Sequence, residues 1–312
     1  MSQQYFGGDP RYFSMMNEAM INHIYETFYH KISGASLNQW LPRHLEQCRR
    51  LIHTKLANGV VQEDHYVNGE LVDSDWVYAE FDYRFFRPFG FMDDYGAETA
   101  RPAEEARRRE NYELDIQRAF YSGYFRRHGL KAQVVYLPIG IIGSVYIAEL
   151  RQNDNGVQNM SGLNNYLLQL LSGFLLGGLF PALYADGIFS SLATIIPRFR
   201  NPNEHQQILN IRLSSMRQVI EHVFGMHKNM FRVFDLPQYL RLYNQGVKIR
   251  RMFLVTFFMQ NCFNCINGGA CSYFNCIPPT LEEYIPLEED LPPPPPVNLG
   301  TVYDYGTNNY FN

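Results

Sequence analysis

Apolar residues recur with helical spacing over the first sixty positions. Met16, Met20, Ile24 and Phe28 follow one another at intervals of four, and Leu37, Leu41, Leu45, Cys48, Ile52 and Leu56 at four, four, three, four and four. Such a stripe buries one face of an α-helix and leaves the other polar. Ser33, Gly34 and Ala35 separate the two runs, so the pattern predicts helix over about 14 to 58 with one break. Ser36 with Gln39 reads as a capping box for the second helix. Pro42 favours a start nearer Leu41, because proline is tolerated in a first turn but not deeper.

From about residue 76 the period changes. WVYAEFDYRFFRPFGFMDD is dense in aromatics and ends in two carboxylates, as a strand running into a site would. Residues 97–118 are charged and read as loop or helix. LKAQVVYLP (130–138) and IIGSVYIAEL (141–150) predict a hairpin turning at Pro138-Ile139-Gly140. Ser161 is a good N-cap for a helix over 161–175. PALYADGIF (181–189) reads as a short buried strand closed by Asp186-Gly187, and helices are predicted over 203–230 and about 238–260. An antiparallel hairpin followed by a crossover helix and a further strand predicts an α/β sheet covered by helices.

The 312 residues suffice for one large domain or two modest ones. LLQLLSGFLLGGLFPAL (167–183) is broken by Ser172, Gly173, Gly177, Gly178 and Pro181, so it reads as a buried helix, a glycine turn and a strand. MSQQYFGGDPRYFS lacks a basic stretch leading into an apolar one, and a soluble intracellular protein is expected. Five consecutive prolines at 292–296 mark an extended or disordered tail. A net charge of −4 withholds the basic balance typical of dedicated DNA readers, so any DNA contact falls to local patches. Arg126, Arg127, His128 and Lys131, interleaved with Tyr121, Tyr124 and Phe125, form one such patch; Lys248, Arg250 and Arg251 form another. Plain surface charge is the commoner role for runs this short.

Three acids stand out by context. Asp93 ends the aromatic run, Asp186 ends PALYAD, and Glu221 lies in the helix containing VIEHVFG. Strand ends and a helix face can gather such groups, and carboxylates are the hard oxygen ligands that Mg²⁺ requires. On spacing alone, a turn Asp-Gly and a solvated helix Glu are the commoner roles. The order of blocks adds to this. YSGYFRRHGLKAQVVYLPIGIIGSVYIAELRQND, NMSGLNNYL, ALYADGIF and SSMRQVIEHVFGMHKNMFR, from about Phe89 to Asn261, resemble DDE transposases of the Harbinger type. The resemblance implies an RNase H-like nuclease core with a mixed sheet flanked by helices (76–261), and the sequence pattern adds an N-terminal helical segment (1–75) and a Cys-containing, proline-rich, partly disordered tail (262–312).

It further implies a catalytic triad of Asp93, Asp186 and Glu221 holding two Mg²⁺ or Mn²⁺ ions, and cleavage of double-stranded DNA at element ends before attack on a target. The family motif usually reads Asp-Gly where Asp93-Asp94 stands here, which leaves the choice between these two acids open. Asp154 is a fourth matching acid, either a ligand or a turn residue. No DNA-reading motif is evident, which leaves room for a separate DNA-binding partner; a homo-oligomer and a nuclear location are compatible with the family. The rivals are a catalytically silent scaffolding descendant and a nuclease without strand transfer. Cys262, Cys265, Cys271 and Cys276 have one Cys-x2-Cys pair but poor zinc-ribbon spacing, and packing is expected instead. His222 and His227, five apart, are expected to be ordinary surface or partly buried histidines.

Overall fold

The structure, a computed structural model, describes residues 18–32, 35–61, 66–67, 70–71, 87–101, 116–176, 178–240 and 246–285. The readings made for 76–86, for 102–115 and for the proline tail lie outside the described residues. Two helices lead, α1 (Glu18–Ile32) and α2 (Ala35–Val61), followed by a minimal antiparallel pair, β1 (Tyr66–Val67) and β2 (Glu70–Leu71). The main sheet is built from β3 (Pro88–Glu98), β4 (Tyr121–Ser122, after the short α3, Ile116–Phe120), β5 (Arg127–Leu137), β6 (Ile141–Glu149), β7 (Ala182–Ala185) and β8 (Ile195–Pro197). Helices α4 (Asp154–Met160) and α5 (Leu163–Leu170) cross from β6 to β7, and α6 (Glu204–Met230), α7 (Gly246–Asn267) and α8 (Leu281–Tyr284) follow the sheet.

Across the sheet the order is β6-β5-β3-β7-β8, with β4 pairing the first residues of β5. β5 runs antiparallel to β3 and β6, whereas β3, β7 and β8 are mutually parallel. The predicted hairpin forms, turning at Gly140 with φ +92°, a backbone that a Cβ would strain. Central strands buried on both faces, such as β7 with its ALYA run, pack helices on either side.

One apolar core joins the sheet to the leading helices: Leu37, Leu41, Leu45, Cys48 and Ile52 of α2 belong to the same cluster as Phe91, Tyr136 and Leu183. At Gly143 of β6 a Cβ would come within 2.7 Å of Leu37, so α2 lies directly on this strand. The edge of β6 is covered by α7. Asn261 accepts from the Ile142 N–H at 2.8 Å and donates to the Ile142 carbonyl at 2.9 Å, closing an otherwise exposed ladder. Among the described residues no helix is long and apolar enough to cross a membrane.

Several boundaries differ from the sequence reading. α2 begins at Ala35 and carries Pro42 inside it, so Ser36 is not its cap; burial of Leu37, Trp40 and Leu41 outweighs the hydrogen bond that proline removes. β3 does not end at the two acids but runs five residues beyond Asp93, because Tyr95 and Ala97 are also buried. The segment 161–175 is not one helix capped by Ser161. Asn153 caps α4, accepting from the Gly156 N–H at 2.6 Å, and Gly162, in the left-handed region, separates α5. The last long helix spans Gly246–Asn267 rather than 238–260, since its buried face continues past 260 through Asn261 and Asn264, with Cys262 and Cys265 packed against the core.

Candidate active site

Alternation along β3 sends its two central acids to opposite faces of the sheet. Phe91, Asp93 and Tyr95 face α6, where Tyr95 packs its ring 5.1 Å from Phe224; Asp94 faces the other way, beside Lys131. β7 lies parallel to β3 with Met92 opposite Ala185, so the residue after each, Asp93 and Asp186, stand side by side. α6 is started by a capping box between Asn203 and Gln206, and the buried Asn210 ties it to both backbone groups of Phe199. One turn on, Ser214 meets the Tyr184 hydroxyl of β7 at 3.3 Å. Ser214, Arg217 and Glu221, at helical spacing, therefore form the stripe of α6 that faces the strand acids.

At this face Arg217 ion-pairs with Asp93 and, at 3.2 Å, with Glu221. Asp93 also accepts from the Asp94 N–H at 2.9 Å. Burial pushes the Asp93 carboxyl up to about 6; Arg217 and the Asp94 amide oppose that, while the charges of Asp186 and Glu221 add to it. Asp186 accepts from the Gly187 N–H at 2.6 Å in the turn that closes β7. Asp93 and Glu221 thus share the Arg217 guanidinium while Asp186 stands beside Asp93, an arrangement that offers hard oxygen donors to a divalent ion. Among the described residues no three His, Cys, Asp or Glu side chains are gathered closely enough to hold an ion as they stand.

The opposite face carries a second ionic group. Lys131, predicted to contact phosphate from the surface, is buried and pairs with Asp154 and, at 3.8 Å, with Asp94. Its place opposite Gly96, two residues from Gln133 on the same face, turns its ammonium inward, away from Arg126 and Arg127. Asp94 is pushed up to about 9 by burial first and then by the Asp154 charge, with Lys131 opposing. Gln133, in register with Asp94, is buried with neither amide atom hydrogen-bonded. Asp154 sits in the first turn of α4, not in a loop, and is not gathered with Asp93, Asp186 and Glu221.

Sequence reasoning missed the residues that hold the turn after Asp186. Gln158 of α4, almost wholly buried, donates to the Ser190 carbonyl and accepts from its N–H, both at 3.0 Å. Asn155 donates to the Ile188 carbonyl at 3.0 Å and accepts from the Ser190 hydroxyl at 2.9 Å. The one available signal is helical spacing: Asn155 and Gln158 share a face of α4.

The remaining candidates fall elsewhere. Arg126 and Arg127 are exposed at the β4–β5 turn. Arg251 is engaged with Asn22 at 2.8 Å and the Tyr25 ring. Cys262 and Cys265 lie on α7 packed against the core, and burial pushes the Cys265 thiol up to about 12. His222 is exposed, but His227, expected at the surface or partly buried, is fully buried. It bonds Thr256 at 3.0 Å amid Tyr95, Phe234 and Phe257, because the stripe of α6 bearing Phe224 and His227 continues over the sheet.

Comparison with known proteins gives one family. Neither a curated protein nor a solved structure matches the chain. A family model for the DDE superfamily endonucleases matches residues 104–261, a span that holds Asp154, Asp186 and Glu221 and begins after Asp93. With half of its length matched in this way, the chain belongs to the DDE superfamily endonucleases.

Proposed function

We propose that this protein is a divalent-metal-dependent DNA endonuclease of the Harbinger type, acting as a cut-and-paste transposase, with Asp93, Asp186 and Glu221 as its catalytic acids. The observation that supports the reading is that Asp93 and Glu221 share Arg217, while Asp186 follows the strand paired in parallel with that of Asp93, so that the three acids lie on one face of the sheet although far apart in sequence. The strand order, with its antiparallel β5 and β6 and parallel β3, β7 and β8, supports an RNase H-like core. The division into 1–75, 76–261 and 262–312 takes its core from the family and its flanking segments from the sequence pattern, and α2 shares its core with the sheet.

Asp93, Asp186 and Glu221 would hold Mg²⁺ or Mn²⁺, two ions in this reading, which when bound supply an activated water and charge to offset the leaving 3′ oxygen. The chain's own residues set the stage for that. Asp93 must be ionised to serve, so competence rises as the pH passes about 6. Arg217 neutralises Asp93 and Glu221 until a stronger cation displaces it. Gln158 and Asn155 fix the turn that bears Asp186. Asp154 acts through Lys131, as an orienting group for the neighbouring strand rather than beside the triad. Arg126 and Arg127 are offered to DNA phosphates. A separate DNA-binding partner, self-association and a nuclear location complete the reading.

A second reading has one observation in its favour: Arg217 and Lys131 already pair four carboxylates internally, Asp93, Glu221, Asp94 and Asp154, as a silent scaffolding descendant would tolerate. Incubating the protein with labelled duplex DNA and Mg²⁺ or Mn²⁺, beside Asp186→Asn and Glu221→Gln, separates the two. Nicking that needs metal and is lost in both variants is expected. Intact DNA with wild-type protein, on generic and element-end duplexes alike, would leave the scaffold reading standing.

A further inference from the structure

The end of the sheet beyond the acids carries a feature that cleavage chemistry does not use. β7 stops level with Met92, while β3 and β5 continue to Glu98 and Arg127. Five residues of strand separate Asp93 from Glu98, a reach of about 17 Å. At that end the turn between β4 and β5 presents Tyr124, 90% exposed, with Phe125 beside it at 4.9 Å, edge to face. The Arg127 guanidinium lies 5.4 Å from the Phe125 ring and pairs with Glu98 at 3.2 Å. Arg126 is held at φ +54°, in the left-handed region that a non-glycine residue rarely adopts, which keeps the turn tight. A Cβ on Gly123 would meet nothing within 4 Å, so the side of the turn next to Tyr124 is open. Exposed Arg151 follows β6 at the same end and reaches the Arg118 carbonyl at 3.5 Å.

We propose that this turn is a stacking site for an unpaired DNA base, with Tyr124 as the platform and Arg126, Arg127 and Arg151 holding the flanking phosphates. The proposal rests on the endonuclease reading for its ligand class and goes beyond it in naming the form of DNA. Arginine beside an exposed aromatic ring matches the two faces of a single strand, a charged backbone and flat bases. Tyr124, left almost wholly in water with only its edge-to-face neighbour Phe125, buries the most surface when a planar group covers its ring. A continuous duplex offers no free base face, so the turn discriminates in favour of gapped, frayed or single-stranded DNA. The turn lies beyond Glu98, more than about five nucleotides of strand from Asp93, so it contributes to binding and not to bond breaking.

The test is binding of fluorescein-labelled duplex, gapped duplex and single strand to the full chain in EDTA, for wild type, Tyr124→Ala and Tyr124→Trp. Gapped and single-stranded DNA should bind tighter than duplex. Tyr124→Ala should weaken them by roughly 5- to 100-fold while barely changing duplex affinity. Tyr124→Trp should restore the preference. Equal affinity of Tyr124→Ala and wild type for gapped DNA overturns the proposal, as does failure of wild type to bind any of the three. Metal-dependent cleavage is read separately: Tyr124-dependent binding without cleavage sinks the nuclease assignment and leaves the stacking site in place. Cleavage with no Tyr124 effect does the reverse. Where cleavage occurs, Tyr124→Ala should raise KM on gapped DNA and leave kcat unchanged.

Discussion

Replacing Asp186 by Asn should make the metal-free protein more stable while removing its response to metal. In the folded chain the Asp93 carboxyl is raised from an ordinary 3.8 to about 6. A raised acid stabilises the fold below its unfolded value, and that contribution is lost as the pH climbs through the folded one. By pH 7.5 the cost approaches about 3 kcal/mol. Burial accounts for most of this and Arg217 opposes it; the Asp186 charge is a lesser cause. Removing that charge should therefore return only about 0.5–1 kcal/mol. The amide introduced by Asp186→Asn keeps an oxygen for the Gly187 N–H, so the turn survives. Urea unfolding in EDTA at pH 7.5 should place the variant's midpoint above that of wild type, and the gap should close near pH 4.5, where Asp93 is protonated in both. With Mg²⁺ at ten times its dissociation constant, wild type should gain about 1.4 kcal/mol and the variant almost nothing. A variant less stable than wild type in EDTA, or equal stabilisation of both by Mg²⁺, would refute the reasoning.

Asp94→Asn should leave cleavage intact, whereas Asp93→Asn should abolish it. Because Asp94 is pushed up to about 9 and is already neutral at pH 7, the amide should retain cleavage and raise stability by about 2 kcal/mol, measured by urea unfolding; lost cleavage would move the first ligand to Asp94. His227, lowered from 6.5 to about 3 by burial first, binds a proton in the unfolded chain that the folded chain refuses, so its stability contribution drains away as the pH falls from 6.5 towards 3. Between pH 6 and 4, His227→Phe should flatten the stability profile by up to about 1.4 kcal/mol per pH unit, and an unchanged slope in urea titrations would count against the buried neutral ring. Gln158→Ala should lower kcat roughly 10-fold by loosening the Asp186 turn, with a folded variant of near-normal DNA affinity; wild-type kcat would show the turn to be held otherwise.

How much of this is legible in the sequence depends on what each signal measures. Periodicity reports burial, so the helices of α1, α2 and α6 and the hairpin of β5 and β6 are readable, and Asn203 marks the start of α6 within a residue. It does not report where a buried run stops, and β3 read from its letters ends at the acids although Tyr95 and Ala97 continue the pattern. Pairing partners are out of reach. Nothing in ALYAD says that β7 lies parallel to β3, yet that pairing brings Asp186 level with Asp93. Three-residue β8 and two-residue β4 are too short to show a period at all.

The choice between Asp93 and Asp94 shows the limit most clearly. Two adjacent acids are equivalent in a string of letters, but in a strand they cannot share the same surroundings. One faces α6 and draws Arg217; the other faces Lys131 and Gln133 and is driven towards its neutral form. The same alternation explains why Lys131 leaves the surface patch to which its neighbours belong: Arg126 and Arg127 sit at the turn, whereas Lys131 lies far enough into β5 for the sheet to cover it. A basic run read by adjacency therefore divides into a tip offered to solvent and a lysine that balances an internal acid. The chain's negative total is thus no measure of the surface that DNA would meet. Several of its carboxylates are held inside, and the arginines at the free end of the sheet are not.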